Sequence, residues 1–455
     1  MASQLERLIP RVVVPGAFAA ALVALAGWGL TAGTTSGGEP TIDPYRYATP
    51  QPTPTPRPPS LAFPEAAQGT LPDPAALTAA LNAVARDGAG ELAMAVIDPY
   101  TGQALVDDRA GAAVTPASNM KLLTAAAALN VLGPDHRFAT RLVGVAEGFI
   151  LVGGGDPSLA DLEPADYPAR ASLQALATAA AAALQAEGST SILLGYDDSY
   201  FAGPGWNDLW EDGDELWATP TSALWADRGI MNGAHSATPA ADAGNRFADH
   251  LRALGIEVTS VIPLGAPADA PVLAEVQSPP LSVIVQETLR LSDNDMAEVL
   301  FRHVGRQGGG DGSLLAAQAA VPVVLQAMGL WADGMAVQDG SGLAYANKVT
   351  PSVVAQAVAL GFRDPAYRSL LTGLPTAGGD GTLGLAYRYD EPQEHIGRGV
   401  VRAKTGTLTG VNTLGGYVQT ASGAILAFCF TTNDVPDDAA ARNWLDRATA
   451  VLAAS

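Results

Sequence analysis

Cysteine, lysine and histidine are all scarce in this sequence. Its 455 residues include one cysteine, three lysines and five histidines. The single cysteine, Cys429, excludes an intrachain disulfide, and the apolar run 425–430 around it predicts a buried strand residue rather than a reactive thiol. The histidines are scattered without H-E-x-x-H or any other zinc-ligand spacing, so the sequence predicts no metal site.

Positive charge is scarce as well. Lysine and arginine together number 25 against 46 aspartate and glutamate residues, which gives a formal net charge of −21 at pH 7. Nucleic acid and anionic membrane surfaces repel such an acidic chain, and this argues against both as partners. We interpret the acidity as a contribution to solubility. The length and the 48% hydrophobic content predict two or three domains with a sizeable buried core.

The first 35 residues predict export. Arg7 and Arg11 precede an uncharged stretch, residues 12–38, which is apolar through about Leu30. This stretch is either a signal peptide or a single membrane anchor through residues 12–31, and the sequence leaves both alternatives open. In both cases the rest of the chain lies outside the cytoplasm, either secreted or anchored to the outer face of the cytoplasmic membrane.

Two of the three lysines lie in short motifs. Lys121 ends the pattern S-x-x-K that begins at Ser118, and Lys404 begins the pattern K-T-G. Arginine carries nearly all the other positive charge. These two positions therefore indicate a need for an amine that can lose its proton, which a guanidinium cannot do. Lys348 lies in a loop-like stretch, and we interpret it as a solvated surface charge.

A third motif, S-D-N, places Ser292 and Asn294 between the first two motifs in the chain. Ser118 precedes a helix predicted over residues 120–132. Because residues i and i+3 share a helix face, the Ser118 hydroxyl and the Lys121 amine are expected to meet. A serine hydroxyl needs a base to become a nucleophile, and a neutral lysine supplies one. The three motifs in this order predict acyl transfer through a serine.

The motif residues suggest a division of the catalytic work. Burial, or the nearby charge of Lys404, would lower the pKa of Lys121 and so favour the neutral base. Ser292 and Asn294 are expected to bridge the two lysines. The Ser292 hydroxyl would relay a proton to the leaving amine, and the Asn294 amide would bind the substrate backbone.

The remaining motif residues are predicted to bind substrate. Residues 399–403 form a β-rich run that leads into Lys404, and Thr405, Gly406 and Thr407 follow it directly. An oxyanion hole needs two backbone N–H donors, and we assign these to Ser118 and Thr407.

Element patterns predict one discontinuous α/β (α+β) catalytic domain. A helix–strand start, a helical middle and a strand–strand–helix end indicate an antiparallel sheet, flanked by helices, that the first and last segments share. Residues 36–64 form a Pro/Thr-rich linker, extended as polyproline II. We predict five regions: a signal peptide or anchor at 1–35, the linker at 36–64, the first segment of the catalytic domain at 65–144, one or more inserted domains at 145–274, and the second segment of the catalytic domain at 275–455.

The chain resembles the D-alanyl-D-alanine carboxypeptidase/endopeptidase family of low-molecular-mass, class C penicillin-binding proteins. The resemblance runs from about residue 71 to 455 and rests on the three motifs. Asn119 is a small departure, since many relatives have Thr there. Further stretches that are similar to the family lie at residues 133–138, 155–159, 339–343, 374–383 and 402–412.

The resemblance implies a DD-peptidase/β-lactamase-like catalytic domain interrupted by a large inserted region. It implies hydrolysis of the terminal D-Ala–D-Ala bond of peptidoglycan stem peptides, hydrolysis of D-amino-acid cross-links, and acylation by β-lactams as covalent inhibitors. It implies no cofactor. Two alternatives remain: a serine β-lactamase, which would need an efficient deacylating base, and a non-catalytic module that binds wall polymer or senses antibiotic.

Overall fold

The computed structural model describes residues 69–86, 88–165 and 168–455. The predicted signal peptide or anchor and the predicted linker lie outside these residues. Within the described residues, the α-helices in chain order are α1 (Pro74–Asn82), α2 (Met120–Leu132), α3 (Leu173–Ala186), α4 (Pro239–Ala253), α5 (Leu281–Leu291), α6 (Asn294–Gln307), α7 (Leu314–Ala327), α8 (Pro351–Arg363), α9 (Arg368–Thr372) and α10 (Asp438–Ala454). Among them we find no helix with the length and apolar character needed to cross a membrane.

The β-strands of the same residues form two larger sheets and one short pair. In chain order they are β1 (Glu91–Ile97), β2 (Ala104–Asp108), β3 (Ala139–Val145), β4 (Gly148–Val152), β5 (Ser191–Asp197), β6 (Ile230–Met231), β7 (Ala234–His235), β8 (Glu257–Pro263), β9 (Val272–Gln277), β10 (Val401–Leu408), β11 (Val411–Gln419) and β12 (Ile425–Asn433).

The first sheet contains strands from both the early and the late regions of the described chain. Its strand order is β10-β11-β12-β1-β2, and every neighbouring pair is antiparallel. Strand β1 pairs with β12 along its whole length, from Glu91 opposite Asn433 to Ile97 opposite Ala427. The predicted fold class is thereby confirmed, since an antiparallel sheet flanked by helices is shared by the early and the late regions of the sequence.

Helices cover both faces of this sheet because alternate strand residues are apolar on both sides. Met94 and Val96 pack toward α1 and α10, while Ala95 and Ile97 pack toward α2 and α8. Cys429 is buried on the α2 side, as predicted for a small core residue on a strand. The sheet is therefore the centre of a three-layer arrangement, with α2 inside the molecule rather than on its surface.

Helix α2 has the predicted bounds and is apolar all round. Ten of its thirteen residues are buried, which suits a helix that other elements surround on every side. It ends at Gly133, whose φ of +83° is a left-handed conformation that glycine adopts without strain. Burial of α2 fixes the position of its first turn, where Lys121 lies.

Helix α1 ends at Asn82, and the chain turns before Gly88 at φ +73°. The second sheet has the order β8-β5-β4-β3-β9 with α3 and α4 packed on it, and it extends from Ala139 to Gln277. This sheet reaches beyond the range 145–274 on both sides. The division of the chain into domains stays a prediction.

Candidate active site

A tight turn presents Ser118 at the start of α2. Residues Ala117–Asn119 form one turn of 3₁₀ helix, and Ala117 has a φ of +46°, which is unusual for a residue with a side chain. The Thr413 hydroxyl donates a 3.0 Å hydrogen bond to the Pro116 carbonyl and holds the turn against β11. Ser118 itself stays partly exposed, as a nucleophile must be.

Two glycines let neighbouring segments approach this turn. A Cβ at position 342 would lie 1.9 Å from the Ala117 carbonyl oxygen, and a Cβ at 406 would lie 2.1 Å from Thr413 Oγ1. Both distances are far below van der Waals contact, so glycine is required at each position. The structure thus places Gly406 in close packing beside the nucleophile turn. Its predicted role in substrate binding stays a prediction.

Lys121 contacts three oxygen atoms. Its Nζ lies 2.9 Å from Ser118 Oγ, 2.7 Å from Asn294 Oδ1 and 2.7 Å from the Ser341 carbonyl oxygen. The amide oxygen and the carbonyl oxygen can only accept hydrogen bonds. A neutral amine has two protons and one lone pair. The charged amine donates to all three oxygens; in the neutral form, with both protons held by the amide and carbonyl oxygens, its lone pair would face the Ser118 hydroxyl.

Burial controls the pKa of the Lys121 amine. Lys121 has no exposed surface, and burial lowers its pKa to about 8. The carboxylates of Asp339 and Glu298 oppose this shift because they stabilise the charged form. Of the two causes that the sequence left open, burial is the dominant one. With this pKa, about a tenth of the amine is neutral at pH 7, far more than for an exposed lysine.

A buried loop supplies the Ser341 carbonyl, and sequence reasoning assigned it no function. Glu298 on α6 accepts the N–H groups of Gly340 and Ser341 at 3.0 and 2.7 Å, which fixes the carbonyl that faces Lys121. Burial raises the pKa of Glu298 to about 7. Asp339 closes the loop by accepting from four donors, namely Trp210 Nε1, Gly342 N, Ala344 N and Asn347 Nδ2. The sequence did contain an indication that this loop matters, because residues 339–343 are one of the stretches that resemble the family.

The S-D-N motif is the junction of two helices. Ser292 ends α5 in a left-handed conformation at φ +59°, and Asp293 caps α6 by accepting the Met296 N–H at 2.8 Å. Asp293 also forms a buried ion pair with Arg228. Asn294 is the first residue of α6, where its side chain reaches Lys121. The motif therefore turns the chain sharply, and two of its side chains face the two lysines.

Lys404 lies on β10 opposite the S-D-N junction, and we call the space between these two segments, beside Ser118, the cleft. Its Nζ donates to Ser292 Oγ at 2.7 Å and to the Thr405 carbonyl at 2.6 Å, and the residue is fully buried. Burial and the charge of Lys121 hold the pKa of Lys404 well below its usual range. The predicted bridge between the lysines is thus divided: Asn294 contacts Lys121, and Ser292 contacts Lys404.

Strand β10 turns its free edge toward the cleft. Outside its ladder with β11, the Val401 carbonyl accepts a hydrogen bond and the Ala403 N–H donates one. Backbone groups alternate in direction along an antiparallel strand, so those of Thr405 and Thr407 also point away from β11. The Ser118 N–H lies beside this edge, 3.0 Å from where a Cβ on Gly406 would be. The geometry is compatible with the predicted pair of N–H donors.

The second-sheet region also reaches this site. Asn294 Nδ2 donates to the Trp217 carbonyl at 2.9 Å, and the Thr219 N–H donates to Asp295 Oδ1 at 2.7 Å. Trp210 is buried against Asp339, whereas Trp217 is 41% exposed. Residues 206–219 therefore hold the Asn294 side chain in the orientation that serves Lys121.

The prediction of a solvated surface charge at Lys348 is wrong. Lys348 is half-buried, and its Nζ donates a 2.7 Å hydrogen bond to Thr115 Oγ1. Thr115 lies three residues before Ser118, and its N–H is bonded to Asn433 Oδ1 at 3.1 Å. The hydrogen bond from Lys348 therefore stabilises the segment that leads into the turn containing Ser118. In the described portion of the chain there is no cluster of three or more His, Cys, Asp or Glu suited to holding a metal ion.

Comparison with known proteins agrees with this architecture. A profile of the D-Ala-D-Ala carboxypeptidase 3 (S13) family matches residues 77–235 and 232–455. A carboxypeptidase of Mycobacterium tuberculosis is 35% identical over 412 residues, which cover 86% of this chain and 87% of that protein. A D-alanyl-D-alanine carboxypeptidase of Actinomadura sp. is 30% identical over 446 residues, with 78% and 80% covered.

Solved structures show the same fold. Penicillin binding protein 4 (DacB) of Haemophilus influenzae has a TM-score of 0.68 at 22% identity, covering 83% of this chain and 98% of its own. A structure of that protein in complex with a β-lactam has a TM-score of 0.61 at 21% identity, with the same shares covered. The profile match spans nearly all of the described residues, and the sequence relatives extend over most of their own length. This chain belongs to the D-Ala-D-Ala carboxypeptidase 3 (S13) family.

Proposed function

We propose that this protein is a serine-type D-Ala-D-Ala carboxypeptidase and endopeptidase that cleaves peptidoglycan stem peptides through an acyl-enzyme and is acylated by β-lactams. The observation that carries the proposal is the set of hydrogen bonds around Lys121. Lys121 Nζ lies 2.9 Å from Ser118 Oγ, and once the amine is neutral its two other acceptors, Asn294 Oδ1 and the Ser341 carbonyl, can hold both of its protons and leave its lone pair for the Ser118 hydroxyl. Family membership supports peptidase activity, and the site geometry supports serine chemistry.

Acylation begins with proton transfer from Ser118 to neutral Lys121. A bond forms between Ser118 Oγ and the carbonyl carbon of the penultimate D-Ala, and the carbonyl electron pair moves onto its oxygen. The N–H groups of Ser118 and Thr407 stabilise this oxyanion. Strand β10 and the S-D-N junction hold the substrate between them, so the reacting atoms are already oriented.

Release of the leaving group needs a proton donor on the opposite side of the cleft. Ser292 Oγ accepts a hydrogen bond from Lys404, so its own proton is available for the leaving nitrogen. The carbon–nitrogen bond breaks, and terminal D-Ala departs as an amine while Lys404 stays hydrogen-bonded to Ser292. The proton that Lys121 took from Ser118 then replaces the one that Ser292 gave away, so Lys121 is neutral again. Water gives a proton to neutral Lys121 as it attacks the ester carbonyl, and Lys121 returns that proton to Ser118 Oγ as the ester carbon–oxygen bond breaks.

β-Lactams are expected to acylate Ser118 by the same steps. The H. influenzae relative complexed with a β-lactam supports this aspect of the proposal. Four buried carboxylates lie near Lys121, and each accepts at least one backbone N–H: Asp293, Asp295, Glu298 and Asp339. In a penicilloyl adduct the expelled nitrogen stays tethered to the acyl group and remains where the water activated by Lys121 must approach. Since none of the carboxylates is arranged as a second base, we expect slow release of the penicilloyl group rather than lactamase turnover. We also propose an extracytoplasmic location, where peptidoglycan is found.

One experiment separates the candidate functions. The full chain is incubated with an N-acyl peptide ending in D-Ala-D-Ala and, separately, with a penicillin, and turnover of each is counted per enzyme. We expect repeated release of D-alanine and a single long-lived penicilloyl adduct. Fast penicillin turnover without D-alanine release would instead identify a β-lactamase. Reversible binding of wall polymer with no turnover of either compound would identify a non-catalytic module.

The pH dependence should report Lys121. The neutral amine is the active form, and its pKa is lowered to about 8. We therefore expect kcat/KM for the D-Ala-D-Ala peptide to fall about tenfold per pH unit below 8 and to level off above it. The rate of acylation by a penicillin, measured by stopped flow, should show the same decrease below pH 8. A flat profile between pH 6 and 9 in both assays would remove Lys121 as the titrating base.

A further inference from the structure

A loop covers a portion of the free edge of β10. Residues 375–377 pair antiparallel with residues 401–403: the Ala377 N–H donates to the Val401 carbonyl and the Ala403 N–H donates to the Pro375 carbonyl, both at 3.0 Å. This pairing ends at Pro375, opposite Ala403, and does not extend to Thr405. The edge groups of Thr405 and Thr407 therefore lie just beyond the covered portion, in the stretch that faces the cleft.

The tip of this loop, residues 378–384, is fixed against both walls of the cleft. Gly381 has a φ of +54°, and a Cβ there would lie 2.7 Å from the Arg290 carbonyl, so the tip packs closely on the last turn of α5. Asp380 accepts the Thr376 N–H at 2.7 Å, which closes the loop on itself. Two residues further on, Thr382 reaches β10 and accepts a 2.7 Å hydrogen bond from the Thr405 hydroxyl.

The position of the proton donor sets the direction of a bound substrate. The leaving nitrogen must lie near Ser292, which contacts Lys404, whereas the oxyanion lies near Thr407. The leaving group thus extends along β10 from Thr407 toward Thr405. The tip of the loop, residues 378–384, lies at the Thr405 end of this path. A terminal D-Ala there would have its carboxylate beside the Thr405–Thr382 hydroxyl pair.

The hydroxyl pair is arranged to donate. Thr405 Oγ1 gives its proton to Thr382 Oγ1, so the proton of Thr382 is directed to another acceptor. Both residues are half-buried at the cleft end. A carboxylate is a strong acceptor for such a donor, and the chain of two hydroxyls polarises the second one further.

We propose that Thr382 is a specificity-determining residue whose hydroxyl donates a hydrogen bond to the C-terminal carboxylate of the substrate, with the tip of loop 375–384 closing the cleft at that end. The proposal rests on the serine-peptidase function above, because the direction of the substrate follows from the positions of Ser292 and Thr407. It assigns the loop a role in selecting substrates whose departing residue carries a free α-carboxylate.

The test compares two substrates in two enzymes. An N-acyl peptide ending in D-Ala-D-Ala and the same peptide with a terminal carboxamide are cleaved by the full wild-type chain and by Thr382→Val. We expect kcat/KM for the carboxylate peptide to fall about 10- to 100-fold in the variant, because a hydrogen bond to a charged group is lost. For the carboxamide peptide we expect a change of less than about threefold, since its interaction with Thr382 is already weakened.

Matched variants separate recognition from structure. Thr382→Ser keeps the hydroxyl and should restore most of the carboxylate preference, whereas Thr376→Val, a threonine of the same loop, should leave the ratio of the two kcat/KM values unchanged. If Thr382→Val does not fold, Thr382→Ala removes the hydroxyl in a smaller side chain. Acylation by a penicillin and by its methyl ester provides the same contrast where carboxamide cleavage is too slow to measure.

The outcomes distinguish this inference from the proposed function. Equal losses for both substrates, or no loss for either, would overturn the role of Thr382 while the wild-type enzyme still releases D-alanine. A wild-type chain that neither releases D-alanine nor takes up penicillin would instead overturn the proposed function, and the inference with it.

Discussion

Ser118→Ala is expected to abolish covalent labelling by a fluorescent penicillin and to lower D-alanine release by about 10⁴-fold or more, the order of loss when a covalent nucleophile is removed. In the proposed mechanism the acyl group is transferred to Ser118 Oγ, and the alanine variant has no oxygen at that position. Gel fluorescence and intact-mass spectrometry of the penicillin-treated chain measure the adduct directly.

The control for this variant is Ser352→Ala. Ser352 is also half-buried on a helix, where its hydroxyl accepts a 3.2 Å hydrogen bond from Gln356, and it lies outside the site. It should label at the wild-type rate. Labelling of Ser118→Ala at that same rate would assign the nucleophile to another residue, which peptide mapping of the adduct would then identify.

Local patterns in the sequence predicted the nucleophile pair because that contact is local. Ser118 and Lys121 are three residues apart at the start of one helix, so helix geometry alone brings them together. The bounds of α2 also follow from its apolar run. The shared sheet was predictable from the order of elements, since strands at both ends of a domain commonly pair when a helical region separates them.

The rest of the site depends on contacts that no local pattern encodes. The Ser341 carbonyl that orients Lys121 is 220 positions away, and the Trp217 carbonyl that orients Asn294 is 77 positions away. A backbone carbonyl carries no side-chain identity, so neither contact leaves a residue-type signal. The burial of Lys348 is a similar case, because its partner Thr115 is 233 positions distant.

The S-D-N motif shows how fold and chemistry use the same residues. Asp293 was assigned no catalytic role, yet it caps α6 and pairs with the half-buried Arg228. Burial alone would raise the pKa of Asp293, but the Arg228 charge and the cap hydrogen bond hold it below its usual range. The cap and the ion pair keep Ser292 in its left-handed conformation, and this conformation directs the Ser292 hydroxyl to Lys404. The order of the three residues therefore reflects a helix junction as much as a catalytic set.

Lys121→Arg is expected to lower the acylation rate by about 10²–10⁴-fold, nearly as much as Lys121→Ala. Arginine keeps the positive charge but cannot lose its proton at any working pH, so it cannot take the proton of Ser118. Stopped-flow acylation by a penicillin measures the rate, and thermal unfolding of each variant shows whether the larger guanidinium disturbs the fully buried site.

Chemical rescue distinguishes a missing base from a disturbed fold. Lys121→Ala leaves space where the amine was, and an added alkylamine such as propylamine can occupy it, whereas guanidinium of similar size supplies charge without basicity. We expect propylamine to restore a fraction of the acylation rate in Lys121→Ala, with rescue increasing as pH rises because the neutral amine is the active form. Equal rescue by guanidinium, or an arginine variant that acylates within a few-fold of wild type, would show that the positive charge of Lys121 suffices and that another group is the base.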